Sequence, residues 1–580
     1  MKKAAEEIVD NLVSLGIDHV FTIPGGGTIP LINEFHRVRD RIRVVLTRNE
    51  QAASIMANAY GRLTGKPGVF IAQGPYAASL GLFGALESYT GSAPMLILCD
   101  ITDYGAFSLH YPAQSGSGEP GTFDLKNILK ATCKYVATPQ TPEDVVQAVQ
   151  QGIKFSINGR PGPSAVIFRS SNFSKPLDPE TYPKLYSGDS YMNIKKAQAD
   201  PNGISDALHL IRDAHSPVIL AGNGIHVSKA YSQLREFAEI IGVPVATSNM
   251  GKGAIDETHA LSVGVSGSFG HPLANSVIQE ADLLIVFGCR LKPQDTCFEN
   301  PESIDPGRQK IVQVDCEPEN IGCNFPVNIG LCGDLKLVLE QFLTAARQFG
   351  WDEKKLRIEK ILSRKVSLNH FHDTLLRSEE QPILPQRLVN EIRTNIPKDA
   401  LVMADAGNNR FWMMRYFPAK EGSYFGPGGT LSMSYAPAAA VVAKMLFPKR
   451  PCLAVAGDGG FMLQAQILST VIQYETPVVF IIFNNSTLGM VWEGQGENPV
   501  ASVFSDTNFA EIAKGFGVDG RRVEHCEEIG PAICEAFSYE RPYVLDVVVS
   551  NKEKIYEKLF SPKATEVFKT LSGKGLYYRK

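Results

Sequence analysis

Short apolar runs of strand length alternate with helical stretches along most of the chain, and this alternation limits the fold more than any other feature. The first such runs are HVFTIP, RVVLT, GVFIAQ, PMLILC and SAVIFR. Strands that alternate with helices typically form parallel sheets covered by helices on both faces. Because 580 residues are too many for one ordinary core, we predict an α/β fold of three doubly wound, mainly parallel-sheet domains.

Two passages without strand-like runs divide this pattern into three blocks. The first, SSNFSKPLDPETYPKLYSGDSYMNIKKAQADPNG, is polar and contains Pro, while the second, WDEKKLRIEKILSRKVSLNHFH, is a charged helical stretch. The first and third blocks are candidates for a shared topology. We predict an N-terminal domain over 1–175, a linker over 176–203, a central Rossmann-like domain over 204–345, a helical linker over 346–383, a third domain over 384–550 and a C-terminal arm over 551–580.

The charge balance favours a small-molecule partner. The chain has 57 basic and 61 acidic residues, so no basic field argues for nucleic acid or an anionic membrane surface. No apolar run reaches the length of a membrane span. The ten cysteines include no CxxC pair, and we expect reduced core thiols, among them Cys99, Cys289, Cys332 and Cys452, in a cytoplasmic protein.

An acid between glycines follows a buried-type strand in AVAGDGGFML, where Asp458 is the acid. Gly-Asp-Gly is good turn chemistry anywhere, so this stretch alone predicts only a turn. Further along, the apolar run PVVFIIFNN ends in Asn484 and Asn485. Parallel sheets bind ligands at the carboxyl ends of their strands, a carboxylate and an amide suit Mg²⁺, and glycine lets the backbone approach a diphosphate.

This pair of motifs resembles the signature of thiamine diphosphate enzymes. The likeness covers nearly the whole chain and is closest to the large catalytic subunit of acetolactate synthase and its relatives. RNEQAASIMANAYGRLTGKPGVFIAQGP, FTIPGGGTIPL, GRPGPSAVIF and NNSTLGMVWE are similar to segments of that family. The resemblance implies thiamine diphosphate and Mg²⁺ as cofactors, with the pyrimidine ring held by the first domain and the diphosphate by the third.

The resemblance also implies roles for residues of the third domain. Asp458, the Asn485 side chain and the Thr487 carbonyl would bind Mg²⁺, and Met433 would support the bent cofactor. Gly407, Asn408 and Asn409, in DAGNNRFW, are candidate phosphate contacts, with a plain strand-ending turn as the alternative. The remaining candidate cofactor contacts are Gly459, Gly460 and Met490.

In the first domain the resemblance assigns the catalytic role to Glu50. Its carboxylate would bind the pyrimidine ring, and a buried acid with a raised pKa suits that exchange of protons. The alternative is that Glu50 merely begins a helix in TRNEQAAS. Gly26 and Gly27 would bring backbone N–H groups to the substrate carbonyl, unless they are plain loop glycines. The family places this site between two chains, which implies a homodimer or homotetramer.

The chain departs from the family where the substrate is bound. The family segment GxRFDDRVT reads GCRLKPQDT here, which keeps Arg290 but places Gln294 at the second arginine. The family tryptophan of GMVxQW is replaced by Gly494, with Trp492 two positions earlier. Candidate substrate residues are Thr28, Tyr76, Gln114, Gln294 and Trp492. The alternative that Tyr76 and Trp492 only pack stays open, and His271 is expected to be structural.

A flavin in the central domain is a separate expectation. LAGNG, SNMGKGA, GVSGSFG, GCR and VDCEPENIG resemble the glycine-rich FAD site of acetolactate synthase, and they point to Gly222, Gly224, Arg290 and Asp315. Some relatives bind an ADP moiety there or nothing, so these alternatives remain.

The expected function is that of a thiamine diphosphate- and Mg²⁺-dependent enzyme that acts on a C–C bond next to a carbonyl. The substrate would be a 2-oxo acid or related carbonyl compound, and decarboxylation followed by carboligation would give an acetolactate-like product. The alternatives are a decarboxylase, C–C lyase or diketone hydrolase, a flavin-using oxidase of the pyruvate oxidase type, and a non-catalytic regulatory member of the family.

Overall fold

The protein consists of three parallel six-stranded sheets, each covered by helices, in a computed structural model that describes residues 1–102, 114–178, 180 and 185–558. The α/β fold class predicted from the sequence is therefore confirmed. Most of the predicted C-terminal arm lies outside the described residues. In the described part of the chain, no helix is long and apolar enough to cross a membrane.

The first sheet has the strand order β2-β1-β3-β4-β6-β5, and all its neighbours are parallel. Its strands are β1 (His19–Thr22), β2 (Arg43–Leu46), β3 (Gly68–Gln73), β4 (Met95–Ile101), β5 (Tyr135–Ala137) and β6 (Pro163–Arg169). Its helices are α1 (Ala4–Ser14), α2 (Ile29–Glu34), α3 (Glu50–Thr64), α4 (Gly74–Ala77), α5 (Leu82–Gly91), α6 (Leu125–Lys130), α7 (Pro142–Ile157) and α8 (Ser170–Ser174).

The second sheet has the order β12-β11-β10-β7-β8-β9 and is also parallel. Its strands are β7 (Pro217–Ala221), β8 (Val245–Thr247), β9 (Ser262–Val265), β10 (Leu283–Phe287), β11 (Lys310–Asp315) and β12 (Ile329–Cys332). Its helices are α9 (Pro201–Asp213), α10 (Gly224–Ser228), α11 (Tyr231–Ile241), α12 (Pro272–Glu280) and α13 (Leu335–Ala346), and α14 (Lys354–Ser367) follows them.

The third sheet has the order β14-β13-β15-β16-β18-β17, which is the connectivity of the first sheet. The predicted shared topology is therefore confirmed. Its strands are β13 (Leu401–Ala404), β14 (Tyr424–Phe425), β15 (Cys452–Gly457), β16 (Val479–Asn484), β17 (Asp519–Val523) and β18 (Tyr543–Val548). Its helices are α15 (Pro385–Asn395), α16 (Asn408–Tyr416), α17 (Tyr435–Leu446), α18 (Asp458–Met462), α19 (Ile467–Gln473), α20 (Gly489–Gln495), α21 (Phe509–Gly515) and α22 (Cys526–Ser538).

One hydrophobic core joins the first and third domains. Helix α3 packs against α17, and buried alanines of both helices lie in the same apolar cluster. Small side chains let two helices approach closely, so these domains are held by tight packing.

The cysteine prediction is correct in part. All ten cysteines are free, and Cys99, Cys289 and Cys452 are buried. Cys332 is exposed, which corrects the expectation of a core thiol. It is the last residue of β12, an edge strand whose side chains alternate between the core and solvent.

Candidate active site

A cavity of about 120 Å³ opens at the carboxyl edge of the third sheet. The segments that follow β13, β15, β16 and β18 meet there, and these four strands are consecutive neighbours in the sheet. All the third-domain candidates for the cofactor and the metal line it: Gly407, Asn408, Asn409, Met433, Asp458, Gly459, Gly460, Asn485, Thr487 and Met490. The sheet thus brings together residues spread over more than eighty positions of the sequence.

Asp458 is the only carboxylate among the three proposed metal ligands, and it lines this cavity. It is 5 % exposed and accepts hydrogen bonds from the backbone N–H of Gly459 (2.7 Å) and of Asn485 (3.1 Å). Burial raises its pKa to about 6, because the charged form is poorly solvated there. A nearby cation would reverse that effect, as expected of a metal ligand.

The neighbouring oxygen atoms suit a hard cation. Asn485 and Thr487 are fixed next to Asp458, with the Thr487 N–H donating to the Asn485 side-chain oxygen at 3.3 Å and the Asn485 amide donating to Asn551 at 2.7 Å. The described residues contain no cluster of three His, Cys, Asp or Glu side chains that could hold a metal alone. One carboxylate, one amide and a carbonyl therefore fit Mg²⁺ that completes its shell with phosphate oxygens.

The opposite wall of the cavity suits a diphosphate. Helix α16 begins there, and Gly407 before it has φ 102°, which favours glycine. The Asn408 amide donates to Glu493 at 2.5 Å, and the side-chain oxygens of Asn408 and Asn409, which are buried without a partner in the described chain, accept hydrogen bonds and so cannot themselves bind phosphate oxygens. A helix N-terminus next to close-packed glycines is a suitable environment for an anionic group.

Two glycines of this cavity have no room for a side chain. A Cβ added at Gly460 would lie 2.3 Å from an Asp405 carboxylate oxygen, and one added at Gly489 would lie 2.8 Å from the Asn408 amide nitrogen. A side chain at either position would therefore displace Asp405 or Asn408.

Met433 belongs to a segment that is tied down from several sides. Ser434 has φ 69°, and its N–H donates to the buried carboxylate of Asp405 at 2.8 Å. Glu87, on α5 of the first domain, accepts from Ser432 N–H at 2.8 Å and from Gly428 N–H and the Thr430 hydroxyl. We call residues 428–434 the Met433 loop. Its position depends on contacts from two domains.

Glu50 does not line the cavity of Asp458. It is the first residue of α3, and the Asn49 side chain caps this helix by accepting from Ala52 N–H at 2.7 Å. Glu50 is 8 % exposed, and burial raises the pKa of its carboxyl. Within the described chain no side chain is hydrogen-bonded to this carboxylate. The two interpretations of Glu50, a residue that begins a helix and an acid that binds a ligand, are therefore compatible. Glu50 begins α3, and its buried carboxylate has no side-chain partner in the described chain.

The other first-domain candidates also lie where the strands of the first sheet end, away from the Asp458 cavity. A Cβ at Gly27 would collide with Asp100, whereas one at Gly26 would meet open space. The Thr28 hydroxyl donates to the Gly25 carbonyl at 2.9 Å and is buried. Gln114 accepts from Gln73 at 2.7 Å, and Tyr76 is 42 % exposed. Their role toward a substrate stays a prediction.

A second, larger cavity of about 730 Å³ lies between the three domains. Gly224, Arg290, Gln294 and Asp315 line it. Gly222 does not, because it packs against the backbone of Gly288 and Cys289 instead. Arg290 donates to the Thr90 carbonyl at 2.7 Å, so this cation bridges the central and first domains. Four of the five candidates for a flavin or a substrate in the central domain thus share one space.

Trp492 and His271 lie outside both cavities. The Trp492 ring faces the Lys554 ammonium, whose nitrogen lies 5.7 Å from the ring centroid. His271 is buried, accepts from Val265 N–H at 2.9 Å and lies 2.8 Å from the Arg415 carbonyl. Burial lowers the pKa of His271. The expectation that His271 is structural is confirmed.

Several residues of the site were missed from the sequence. Asn551 follows β18, so the rule that located Asp458 at a strand end would also have found it. Asp405 follows β13 in the same way, and burial raises its pKa to about 7. Glu493 and Glu87 lie within helices, and no sequence signal distinguishes them from surface acids.

The chain matches known proteins along most of its length. Residues 2–116, 204–342 and 405–547 match, in this order, the N-terminal TPP binding domain, the central domain and the C-terminal TPP binding domain of thiamine pyrophosphate enzymes. The chain is 31 % identical to the probable acetolactate synthase large subunit of Methanocaldococcus jannaschii, over 95 % of this chain and 93 % of that protein. It is 30 % identical to the acetolactate synthase large subunit of Haemophilus influenzae, over 96 % of both chains. It is 28 % identical to the acetolactate synthase isozyme 3 large subunit of Escherichia coli, over 96 % of both.

Proposed function

The chain belongs to the thiamine pyrophosphate enzymes, and on this premise we propose that it is a Mg²⁺-dependent enzyme of the acetolactate synthase type that decarboxylates a 2-oxo acid and joins the fragment to a second carbonyl compound. The observation that carries the proposal is the single cavity lined by every third-domain residue proposed for the cofactor and its metal. The acetolactate synthase names of the relatives support the reaction type.

In this proposal the third domain holds the cofactor by its charged end. Asp458, the Asn485 side-chain oxygen and the Thr487 carbonyl bind Mg²⁺, and the backbone next to Gly407 and Gly460 binds the diphosphate. Met433 and Met490, which line the same cavity, would contact the remainder of the cofactor. When bound, thiamine diphosphate supplies a carbon nucleophile that adds to the carbonyl of a 2-oxo acid.

Glu50 exchanges a proton with the pyrimidine ring. Burial raises the pKa of this carboxyl, so it holds a proton more readily than an exposed glutamate and is better suited to donate as well as accept one. Because Glu50 does not line the Asp458 cavity of its own chain, we propose that it acts in the cavity of a second copy. The minimal active unit is then a homodimer, and two such dimers would give a homotetramer.

An exposed apolar surface of the first domain supports this assembly. Tyr76, Leu80, Phe83, Leu86 and Tyr89, on and next to α5, are each exposed in the single chain. Exposed apolar patches on soluble proteins commonly mark contacts with a partner. This surface continues the segment that starts at the end of β3, so a partner that covers it also approaches the carboxyl edge of the first sheet, where Glu50 lies.

The large cavity is the proposed flavin site. Gly224 leaves room for backbone approach, and Arg290 and Asp315 offer a cation for phosphate and an acceptor for ribose hydroxyls. The Asp315 carboxylate already accepts from Glu317 N–H and from the Asn320 amide, each at 3.0 Å, which orients it. A volume of about 730 Å³ is in the range of cofactor sites.

One observation favours a second candidate reaction. Gln294, in place of the family arginine, lines the large cavity with a neutral amide. An amide cannot pair with the carboxylate of a second 2-oxo acid as a guanidinium does. A thiamine diphosphate-dependent decarboxylase, C–C lyase or diketone hydrolase with a different second substrate therefore remains as an alternative.

The test is to supply the purified protein with thiamine diphosphate, Mg²⁺ and pyruvate and to measure acetolactate, acetaldehyde and oxygen consumption. Acetolactate supports the proposal, and acetaldehyde alone supports the decarboxylase. Oxygen uptake in proportion to pyruvate supports an oxidase. No binding of thiamine diphosphate by calorimetry contradicts the proposal as a whole and favours a non-catalytic family member.

A further inference from the structure

Arg410 is a buried arginine whose hydrogen-bonding capacity is not satisfied by the described protein. It lies on α16, one residue after the proposed phosphate contact Asn409, and is 3 % exposed. Its Nε and Nη1 atoms have no hydrogen-bond partner in the described chain. Buried polar groups are almost always hydrogen-bonded, and an unpaired buried guanidinium is among the most unfavourable groups to leave in a fold.

The guanidinium faces the large cavity and not the cavity of Asp458. Arg410 lines the large cavity, whereas Asn408 and Asn409 of the same helix line the smaller one. The Arg410 Nε lies against Gly426, because a Cβ added at Gly426 would be 3.3 Å from that nitrogen. The same helix therefore contributes to two separate spaces.

Lys292 faces the same end of the large cavity. The Lys292 Nζ lies against Gly429, because a Cβ added at Gly429 would be 2.6 Å from that nitrogen. Burial and the nearby charge of Arg290 lower the pKa of Lys292 to about 8. Within the described chain its ammonium forms no ion pair within 4 Å. Two cations without a close ion pair in the described chain thus lie against one short stretch of backbone, residues 426–429.

The acids nearby attract these cations, but within the described chain none of them forms an ion pair with either cation within 4 Å. The Asp295 carboxylate is partly buried and accepts from the backbone N–H of Asn249 at 2.9 Å, and burial raises its pKa. The Glu87 carboxylate is engaged by the Met433 loop. The cavity as a whole is lined by eight basic and three acidic side chains, so an anion is favoured there.

Two further atoms restrict the chemistry of the ligand. Asn223 and Asn249 also line this cavity, and their side-chain oxygens are buried without a hydrogen-bond partner in the described part of the protein. An amide oxygen accepts and cannot donate. The lining is thus complementary to a molecule that carries both a negative oxygen group and N–H or O–H donors.

We propose that Arg410 and Lys292 form an oxyanion site at the end of the large cavity next to residues 426–429, and that it binds a carboxylate or phosphate group of a small ligand that also carries hydrogen-bond donors. Arg410 matches the two oxygens of such a group with parallel N–H donors, and Lys292 adds a point charge. The site goes beyond the flavin proposal, which rests on Gly224, Arg290 and Asp315, and it is present with or without a flavin.

The test is calorimetric titration of the full-length protein, freed of any flavin, with inorganic phosphate and, separately, with acetate. Ionic strength is held constant with chloride, and the titration is repeated with saturating thiamine diphosphate and Mg²⁺ so that the diphosphate cavity is not available. The variants are Arg410→Met, Lys292→Gln and, as controls, Lys195→Gln at the exposed part of the same cavity and Lys514→Gln, an exposed lysine of α21 outside both cavities.

We expect saturable binding of at least one anion, weakened about 10-fold or more by Arg410→Met and by Lys292→Gln and unchanged in both controls. Binding of acetate alone identifies a carboxylate ligand, and binding of phosphate alone identifies a phosphate. We also expect ligand-free Arg410→Met to melt no lower than the wild type, because it removes an unpaired buried charge.

The proposal is overturned if the wild type binds neither anion, or if Arg410→Met binds as tightly as the wild type. If Arg410→Met does not fold, the anion affinities of Arg410→Lys and Lys292→Gln are measured in the same titration. Wild-type affinity in both variants overturns the proposal. These outcomes are independent of catalysis. If thiamine diphosphate does not bind, the proposed function is contradicted. The anion titration without cofactor still tests the oxyanion site in that case.

Discussion

The Gln51 side chain donates a 2.8 Å hydrogen bond to the Ser434 hydroxyl, and both groups are buried. Gln51 follows Glu50 on α3, and Ser434 follows Met433 at the end of the Met433 loop. Within one chain the helix of the proposed proton-transfer residue is therefore joined to the loop of the proposed cofactor support. Glu50 and Met433 nevertheless do not share a cavity within one chain, because Met433 lines the Asp458 cavity and Glu50 does not.

Replacement of Glu50 separates activity from stability. Burial raises the pKa of this carboxyl in the folded protein. The protonated group therefore favours folding below the pKa of the unfolded chain, and this contribution is lost as pH rises through the folded-state pKa. We expect Glu50→Gln to lose nearly all activity and to melt at least as high as the wild type at neutral pH. The difference shrinks at acidic pH. Melting curves at both pH values check this, and lower stability of Glu50→Gln at neutral pH would contradict it.

Asp458→Asn removes the only charged ligand of the proposed metal. We expect the variant to fold, since its neutral amide fills the same space, and to bind thiamine diphosphate at least about 100-fold more weakly in the presence of Mg²⁺. Calorimetry with and without Mg²⁺ measures the change. Asp519→Asn, on the edge strand β17, is the matched control and keeps wild-type affinity. Equal affinity of Asp458→Asn and wild type would show that the metal binds elsewhere.

Two glycines give a sharp contrast in the third domain. Gly460→Ala places a methyl group 2.3 Å from an Asp405 oxygen, so we expect a loss of about 1–3 kcal/mol in the free energy of unfolding and weaker cofactor binding. Gly515→Ala, at the end of α21, meets open space and is expected to stabilise the protein by up to about 1 kcal/mol. Denaturant unfolding compares them, and similar effects of the two would argue against the packing described.

Glu87 holds the Met433 loop through three donors. Glu87→Ala leaves two backbone N–H groups and a hydroxyl without an acceptor, so we expect a loss of about 3 kcal/mol in the free energy of unfolding and weaker binding of thiamine diphosphate. Glu87→Gln keeps an acceptor and is expected to lose less in both measurements. If Glu87→Ala lowers stability and leaves cofactor affinity unchanged, Glu87 fixes the domains and not the cofactor loop.

The sequence predicted the parts of the fold and site that depend on local pattern. The long central strands β4, β15 and β16 are continuous apolar runs, and Asp458 and Asn485 follow two of them. The strands that were missed, such as β14 and β17, are short or polar edge strands, which need less apolar sequence. Glu87 and Arg410 could not be found, because their partners or cavities are formed by segments of other domains.

The pairing of Glu50 of one chain with Asp458 of another in each active site is the proposal on which the function depends. Its most direct test is to mix Glu50→Gln and Asp458→Asn subunits, each inactive alone, under conditions in which the chains exchange. In a symmetric dimer one of the two sites in each mixed pair has both native residues, so random pairing restores roughly one quarter of wild-type activity. Acetolactate formation from pyruvate and deuterium exchange at the acidic carbon of the bound cofactor both report it. Restored activity in the mixture is the predicted result, and no activity in verified mixed dimers would contradict the account.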